Sequence, residues 1–126
     1  MTPEDFPKTL AAAFAARDCA ALVAMLTTDA QVVTLTGAVA EDATQAGLAF
    51  DQEFAGIFAT AKLVTGRNRQ RALAPGLTIV HQRYVVMGAK DDSGRDLARF
   101  GCVVTAVLLA TAQGWRAVSL SLSALT

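Results

Sequence analysis

The sequence predicts an α+β domain with its helices gathered on one face of an antiparallel sheet. Two observations predict this class. The N-terminal half carries apolar residues at helical spacing, whereas the C-terminal half carries long runs rich in Val, Leu, Thr and Ser. The predicted order is helix, helix, strand, helix and then four strands. Short turns separate those four strands, so we expect them to form a meander.

Three helices are predicted from N-caps and apolar stripes. Thr2, Asp18 and the Glu41-Asp42 pair precede the stripes as caps, because their side chains can accept hydrogen bonds from free backbone N–H groups. The stripes are Phe6, Leu10, Ala13 and Phe14 in the first helix; Leu22, Met25 and Leu26 in the second; and Phe50, Phe54, Ile57 and Phe58 in the third.

Five strands are predicted from β-branched composition and from turn residues. The first spans residues 31–36 after an exit turn at residues 27–30, and the next two span residues 63–73 and 77–87. The last two, residues 100–110 and 115–122, form a hairpin around Gln113-Gly114. In the second strand, Thr65, Arg67, Arg69 and Arg71 alternate onto one face.

Composition bounds the class of protein. The 126 residues form one domain, residues 1–126, with eleven basic and eleven acidic side chains, so nothing directs it to nucleic acid or an anionic membrane. Mean hydropathy is +0.40, which predicts an extra covered surface and therefore self-association. The N-terminus is acidic and has no signal-peptide core, and no apolar run is long enough to span a bilayer. We expect a cytoplasmic protein.

Neither the cysteines nor the histidine predicts a metal or a cofactor. Cys19 and Cys102 lie far apart and belong to no metal-spaced pair, so we expect two small buried side chains in a reducing compartment. His81 has no second histidine or paired cysteine as a co-ligand.

Four segments carry a resemblance to a known family. The first segment is Asp18 with its helix, followed by Thr28-Asp29-Ala30-Gln31-Val32. The second segment is Gly37 with the acidic residues and the helix after it. The third is the turn from Ala74 to His81, and the fourth is Gly114-Trp115-Arg116. In this order they resemble the NTF2-like superfamily, and within it the SnoaL-like and SgcJ/EcaC-type small proteins, relatives of ketosteroid isomerase in fold.

The resemblance implies a curved sheet wrapped by about three helices, forming a cone with a pocket, and a homodimer built through the outer sheet face. Two positions depart from the family pattern. Ser121 stands where relatives often carry a histidine, and Glu41 stands where a glycine commonly precedes the third helix. No relative's mechanism is therefore transferred to this chain.

A strand register predicts which side chains line the pocket. If Thr111 pairs with Gly114 and the preceding turn centres on Asp92-Ser93, Val104 lies opposite both Ser121 and His81. The predicted pocket face is Trp115, Ala117, Ser119, Ser121, Val104, Cys102, Phe100, His81 and Arg83. The predicted dimer face is Val118, Leu120, Leu122, Val103, Thr105, Val107, Val80, Gln82 and Tyr84.

His81 is the candidate catalytic residue, because histidine is the side chain best suited to proton transfer near neutral pH. The candidate ligand-binding residues are Arg83, Ser121, Ser119, Cys102, Trp115, Phe54 and Phe58. Each of these side chains also has a purely structural alternative. The histidine could be hydrogen-bonded to a backbone group, and the serines could lie on a partly solvated strand. The arginine could lie at the rim of the sheet, and the tryptophan and phenylalanines could belong to the core. If Arg83 points inward, it needs a carboxylate from Asp29, Asp51 or Glu53.

Three functions follow from these candidates. The leading hypothesis is a homodimer that holds a small, largely apolar molecule, with acid/base chemistry of the isomerase or cyclase type at His81. The alternative is a non-enzymatic ligand-binding or protein-interaction module that works through its dimer surface. A third hypothesis assigns Arg67, Arg69 and Arg71 to the recognition of an anionic partner.

Overall fold

The computed structural model describes residues 1–125 and confirms the α+β class. We number its elements in chain order: α1 (Phe6–Ala15), α2 (Cys19–Ala24), β1 (Leu26–Val33), β2 (Val39–Ala40), α3 (Ala43–Phe54), β3 (Lys62–Ala74), β4 (Leu77–Met87), β5 (Phe100–Thr111) and β6 (Gly114–Ala124). No helix among these residues is both long and apolar enough to cross a membrane.

The predicted caps of α2 and α3 are present, whereas the predicted cap Thr2 is wrong for α1, which begins at Phe6 with Asp5 as its N-cap. Asp18 accepts a hydrogen bond from the backbone N–H of Ala21 at 3.0 Å, and Asp42 accepts one from Gln45 at 2.8 Å. Thr2 and Asp5 bond each other reciprocally one turn before α1 begins. The bonds at Asp18 and Asp42 satisfy N–H groups that a helix leaves unpaired.

The sheet is a meander extended at one edge. Its strand order is β2-β1-β6-β5-β4-β3, in which β3 to β6 pair antiparallel as predicted. β1 pairs parallel with β6, which the sequence did not predict. The predicted exit turn at residues 27–30 is wrong, because β1 already begins at Leu26. Pairing with β6 makes this segment a strand, although its composition is typical of a turn.

Two β-bulges decide which side chains share a face. In β3 the pairing shifts between Thr65 and Asn68, and in β6 the extra residue is Val118. A bulge inserts one residue and reverses the alternation beyond it. Thr65 therefore faces the helices while Arg69 and Arg71 face away. The prediction that Thr65, Arg67, Arg69 and Arg71 share one face is wrong.

The side facing the helices, the inner face, holds the core. The helical stripes pack there against buried strand residues, among them Val80, Val104 and Leu120. α3 ends at Phe54, so Ile57 and Phe58 lie in the turns beyond it instead of on the helix; Phe58 is nevertheless buried. The opposite side of the sheet is the outer face, and none of the helices described covers it.

Candidate functional site

The predicted pocket residues are divided between the two faces of the sheet. His81, Arg83, Ser119 and Ser121 lie on the outer face, whereas Cys102 lies on the inner face. The inner side also holds Phe54, Phe58, Phe100, Val104, Ala117 and Trp115. The sequence-predicted set is therefore not brought together in one pocket.

A shift of one residue in the register explains this. Val104 pairs with Gln82 and Leu122, while Thr105 pairs with His81 and Ser121. The hairpin near Thr111 has the predicted pairing, but Val118 bulges and shifts every later pair. The β4–β5 loop centres on Ser93 because Asp91 accepts bonds from the backbone of both Ser93 and Arg95. A shift of one residue exchanges the two faces.

The surroundings of His81 do not form a catalytic dyad. His81 is exposed and lies between Arg69 on β3 and Thr105 on β5, with Ser121 one strand further. Two strand spacings place the backbones of Ser121 and His81 about 10 Å apart, beyond direct hydrogen bonding. No carboxylate of residues 1–125 lies within 4.0 Å of His81 or Arg83, since the single ion pair joins Lys90 and Asp96.

Two of the carboxylates suggested as partners for Arg83, those of Glu53 and Asp51, contact other side chains. Glu53 is buried and accepts a 2.6 Å bond from the Thr36 hydroxyl. Asp51 lies beside Cys19, with 3.9 Å between Sγ and Oδ1. Partial burial, reinforced by Asp51 and Asp18, raises the pKa of Cys19 above its usual value. This thiol is therefore held in its less nucleophilic form.

Aromatic rings fill the space between the helices and the sheet. The ring centroids of Phe14 and Phe54 lie 5.1 Å apart, those of Phe14 and Phe58 5.6 Å, and those of Phe50 and Phe54 6.5 Å. All four side chains are buried. Phe54 and Phe58 thus contact other rings of the core.

An open cleft of about 440 Å³ lies at the edge of this core, between the start of α1 and strand β3. Gln82 lines this cleft and is only 1% exposed. The Gln82 amide donates to the carbonyls of Gly66 (3.1 Å) and Arg83 (2.7 Å) and accepts from Asn68 (2.8 Å). Sequence reasoning missed this cluster, because it placed Gln82 on the dimer face and did not detect the bulge at Gly66.

Tyr84 was predicted on the dimer face, and this is wrong. Its side chain is 1% exposed on the inner face, and its hydroxyl donates to the Pro7 carbonyl at 2.7 Å. Burial raises the pKa of Tyr84 far above its usual value of 10.0. Burial also raises the pKa of its cross-strand neighbour Cys102 from 9.0 to about 11. The buried, apolar character expected for Cys102 is confirmed.

These two groups predict a loss of stability at alkaline pH. In the unfolded chain they lose protons near pH 9 and 10, whereas in the folded chain they keep them. The free energy of unfolding should therefore fall as pH rises above about 9, by up to about 1.4 kcal/mol per pH unit for each group. Urea titrations at pH 8, 9 and 10 measure this. Cys102→Ala should flatten the decline between pH 9 and 10, and an identical decline in both proteins would contradict the assignment.

No protein-family model and no curated protein matches the sequence. Solved structures do match. A protein with a cystatin-like fold from Caulobacter vibrioides has a TM-score of 0.84 at 16% identity, covering 94% of this chain and 84% of that one. An NTF2-like protein from Novosphingobium aromaticivorans has a TM-score of 0.76 at 17% identity, covering 97% and 80%. A ketosteroid isomerase-like protein from Erwinia carotovora atroseptica has a TM-score of 0.81 at 14% identity, covering 98% and 93%.

Proposed function

We propose that this chain, which has the NTF2-like, cystatin-like fold with a curved and unclosed sheet, works as a non-enzymatic binding module and assembles as a homodimer through the outer face. The observation that carries this proposal is a set of partly exposed aliphatic side chains on that face. We call this set the aliphatic band: Val33, Val85, Val103, Val107 and Leu109.

The aliphatic band lies where a second sheet would pack. Val107 is near its centre, with Ile79 and Ser119 as cross-strand neighbours. The four strands β1, β6, β5 and β4, about 35 Å long at 4.8 Å spacing, present on the order of 700 Å² without the edge strand β3. Stable interfaces bury roughly 800 Å² per partner, so this face is close to the size needed. A second copy also supplies the covered surface that a mean hydropathy of +0.40 predicts.

The position of His81 favours a binding module over an acid/base enzyme. A general base must lie within hydrogen-bonding reach of its substrate, and an orienting partner usually holds it in place. Here the histidine is exposed on the outer face, and rings occupy the interior. The ketosteroid isomerase-like neighbour shares the fold, and fold likeness alone does not transfer chemistry.

The cleft beside Gln82 favours a second candidate function, the binding of a small polar molecule. The groups that line it include the side chains of Glu4, Lys8, Thr65 and Asn68. Native mass spectrometry of the purified protein tests this candidate. If the wild-type protein carries a bound molecule and Asn68→Leu does not, the candidate is supported. If the variant still carries the molecule, the ligand binds elsewhere.

The homodimer is tested by sedimentation equilibrium. Each chain has a mass of 13.1 kDa, so we expect a species of about 26 kDa. Val107→Asp places an unpaired charge in the centre of the interface and should raise the dimer dissociation constant at least about 100-fold. The matched control is Leu48→Asp on α3, because Leu48 is 63% exposed on the helical side. A monomeric wild-type protein, or a dimer disrupted only by the control, would refute the proposal.

A further inference from the structure

A basic groove lies on the outer face at the edge of the sheet. It has a volume of about 560 Å³ and is lined by Arg69, Gln70, Arg71, Leu73, Ile79 and His81. Arg69 pairs with His81 across the strands, and Arg71 pairs with Ile79. Two guanidinium groups and an imidazole therefore surround a space with an aliphatic wall.

The β3 bulge places both arginines in this groove. Beyond the bulge, Asn68 and Gln70 share the inner face, so Arg69 and Arg71 alternate outward. Gln82 holds the bulge in place through its bond to the Gly66 carbonyl. On a regular strand, residues two apart lie about 7 Å apart, and side chains of this length can converge on one small group between them.

No carboxylate neutralises these cations in the part of the chain that the structure describes. The one ion pair of residues 1–125 is remote from them, in the β4–β5 loop. Arg83 adds a third guanidinium on the same face, two residues beyond His81 along β4. The groove's cross-strand neighbours on β5, Thr105 and Val107, are uncharged. The chain as a whole has no net charge, so this positive patch is a local concentration.

We propose that this groove binds a small organic phosphate ester. Each planar guanidinium group, of Arg69 and of Arg71, can donate two parallel hydrogen bonds to a pair of phosphate oxygens. Together the two positive charges balance the charge of the phosphate group, which is close to −2. The body of the ester packs on Ile79 and Leu73. This inference goes beyond the proposed function, since it needs neither the dimer nor the cleft beside Gln82.

Isothermal titration calorimetry with phenyl phosphate at low salt tests the inference. We expect saturable binding of one molecule per chain. The double variant Arg69→Gln/Arg71→Gln should weaken binding at least about tenfold, because charge-assisted bonds to phosphate are lost. The matched control is Arg95→Gln/Arg99→Gln, which removes the same charge from exposed positions of the β4–β5 connection and should change binding less than twofold. Thermal melts should show both double variants folded.

Two further titrations fix the class of ligand. Inorganic phosphate should bind more weakly than phenyl phosphate, and Ile79→Ser should reduce that difference because the aliphatic wall is lost. Benzoate, with one charge, should bind more weakly than phenyl phosphate. The inference is overturned if binding does not saturate or if both double variants lose affinity equally. It is also overturned if a polyglutamate peptide displaces phenyl phosphate when its concentration, counted per carboxylate, is lower than that of phenyl phosphate. The last result would indicate an acidic protein segment as the occupant.

Discussion

Phe14→Ala will lower the free energy of unfolding by about 3–5 kcal/mol, the loss typical of a buried aromatic side chain that leaves a cavity. Phe14 is 1% exposed and contacts the rings of both Phe54 and Phe58. Its removal leaves a hole lined by rings from α3 and the turn that follows it. Urea unfolding measures the loss.

The same variant tests whether the interior holds a ligand in the wild-type protein. A dry apolar cavity of this size binds benzene, so benzene should raise the melting temperature of Phe14→Ala and leave that of the wild type unchanged. The matched control is Leu48→Ala, a truncation at an exposed position of α3, which should cost less than about 0.5 kcal/mol. If benzene stabilises the wild type equally, the interior already contains an open pocket and the leading apolar-ligand hypothesis regains support.

Gln82→Leu will cost about 2–4 kcal/mol, although leucine is similar in size and more apolar. The change leaves the carbonyls of Gly66 and Arg83 and the amide of Asn68 without their partner, the buried Gln82 amide, at the wall of the open cleft. Each lost partner of a buried polar group costs about 1–3 kcal/mol, and partial hydration at the cleft reduces the sum. Chemical denaturation measures the total.

The control for this prediction is Gln52→Leu, because Gln52 is exposed on α3. It should change stability by less than about 0.5 kcal/mol. The bulge also positions Arg69 and Arg71, so Gln82→Leu should weaken phenyl phosphate binding in protein that is still folded. Unchanged stability in Gln82→Leu would mean that the bulge does not need its side-chain bonds.

Local sequence signals were sufficient for the helices and for the meander. The caps at Asp18 and Asp42 are local, since each side chain bonds a backbone group three residues away. Leu77–Met87 was predicted with both ends correct, because its strand composition lies between a Pro-Gly turn and Gly88. The hairpin pairing of Thr111 with Gly114 was correct for the same reason.

The long-range pairings were not predictable in this way. β1 is a strand because β6 pairs with it in parallel, and that partner lies about ninety residues away in the sequence. The candidate site depended on similar information. His81 and Ser121 were expected to line a pocket, but an odd-membered β4–β5 loop places His81 outside and the Val118 bulge places Ser121 outside.

The sequence by itself determined the class of fold, the helical faces and the four-strand meander, because each depends on side-chain periodicity within one element or on a short turn between neighbours. Tertiary structure alone decided which residues share a surface. Alternation along a strand has a period of two, so a single inserted residue such as Val118 reverses everything beyond it. That reversal placed Ser119 and Ser121 on the outer face, while the β4–β5 pairing, centred on Ser93, placed His81 there beside Arg69.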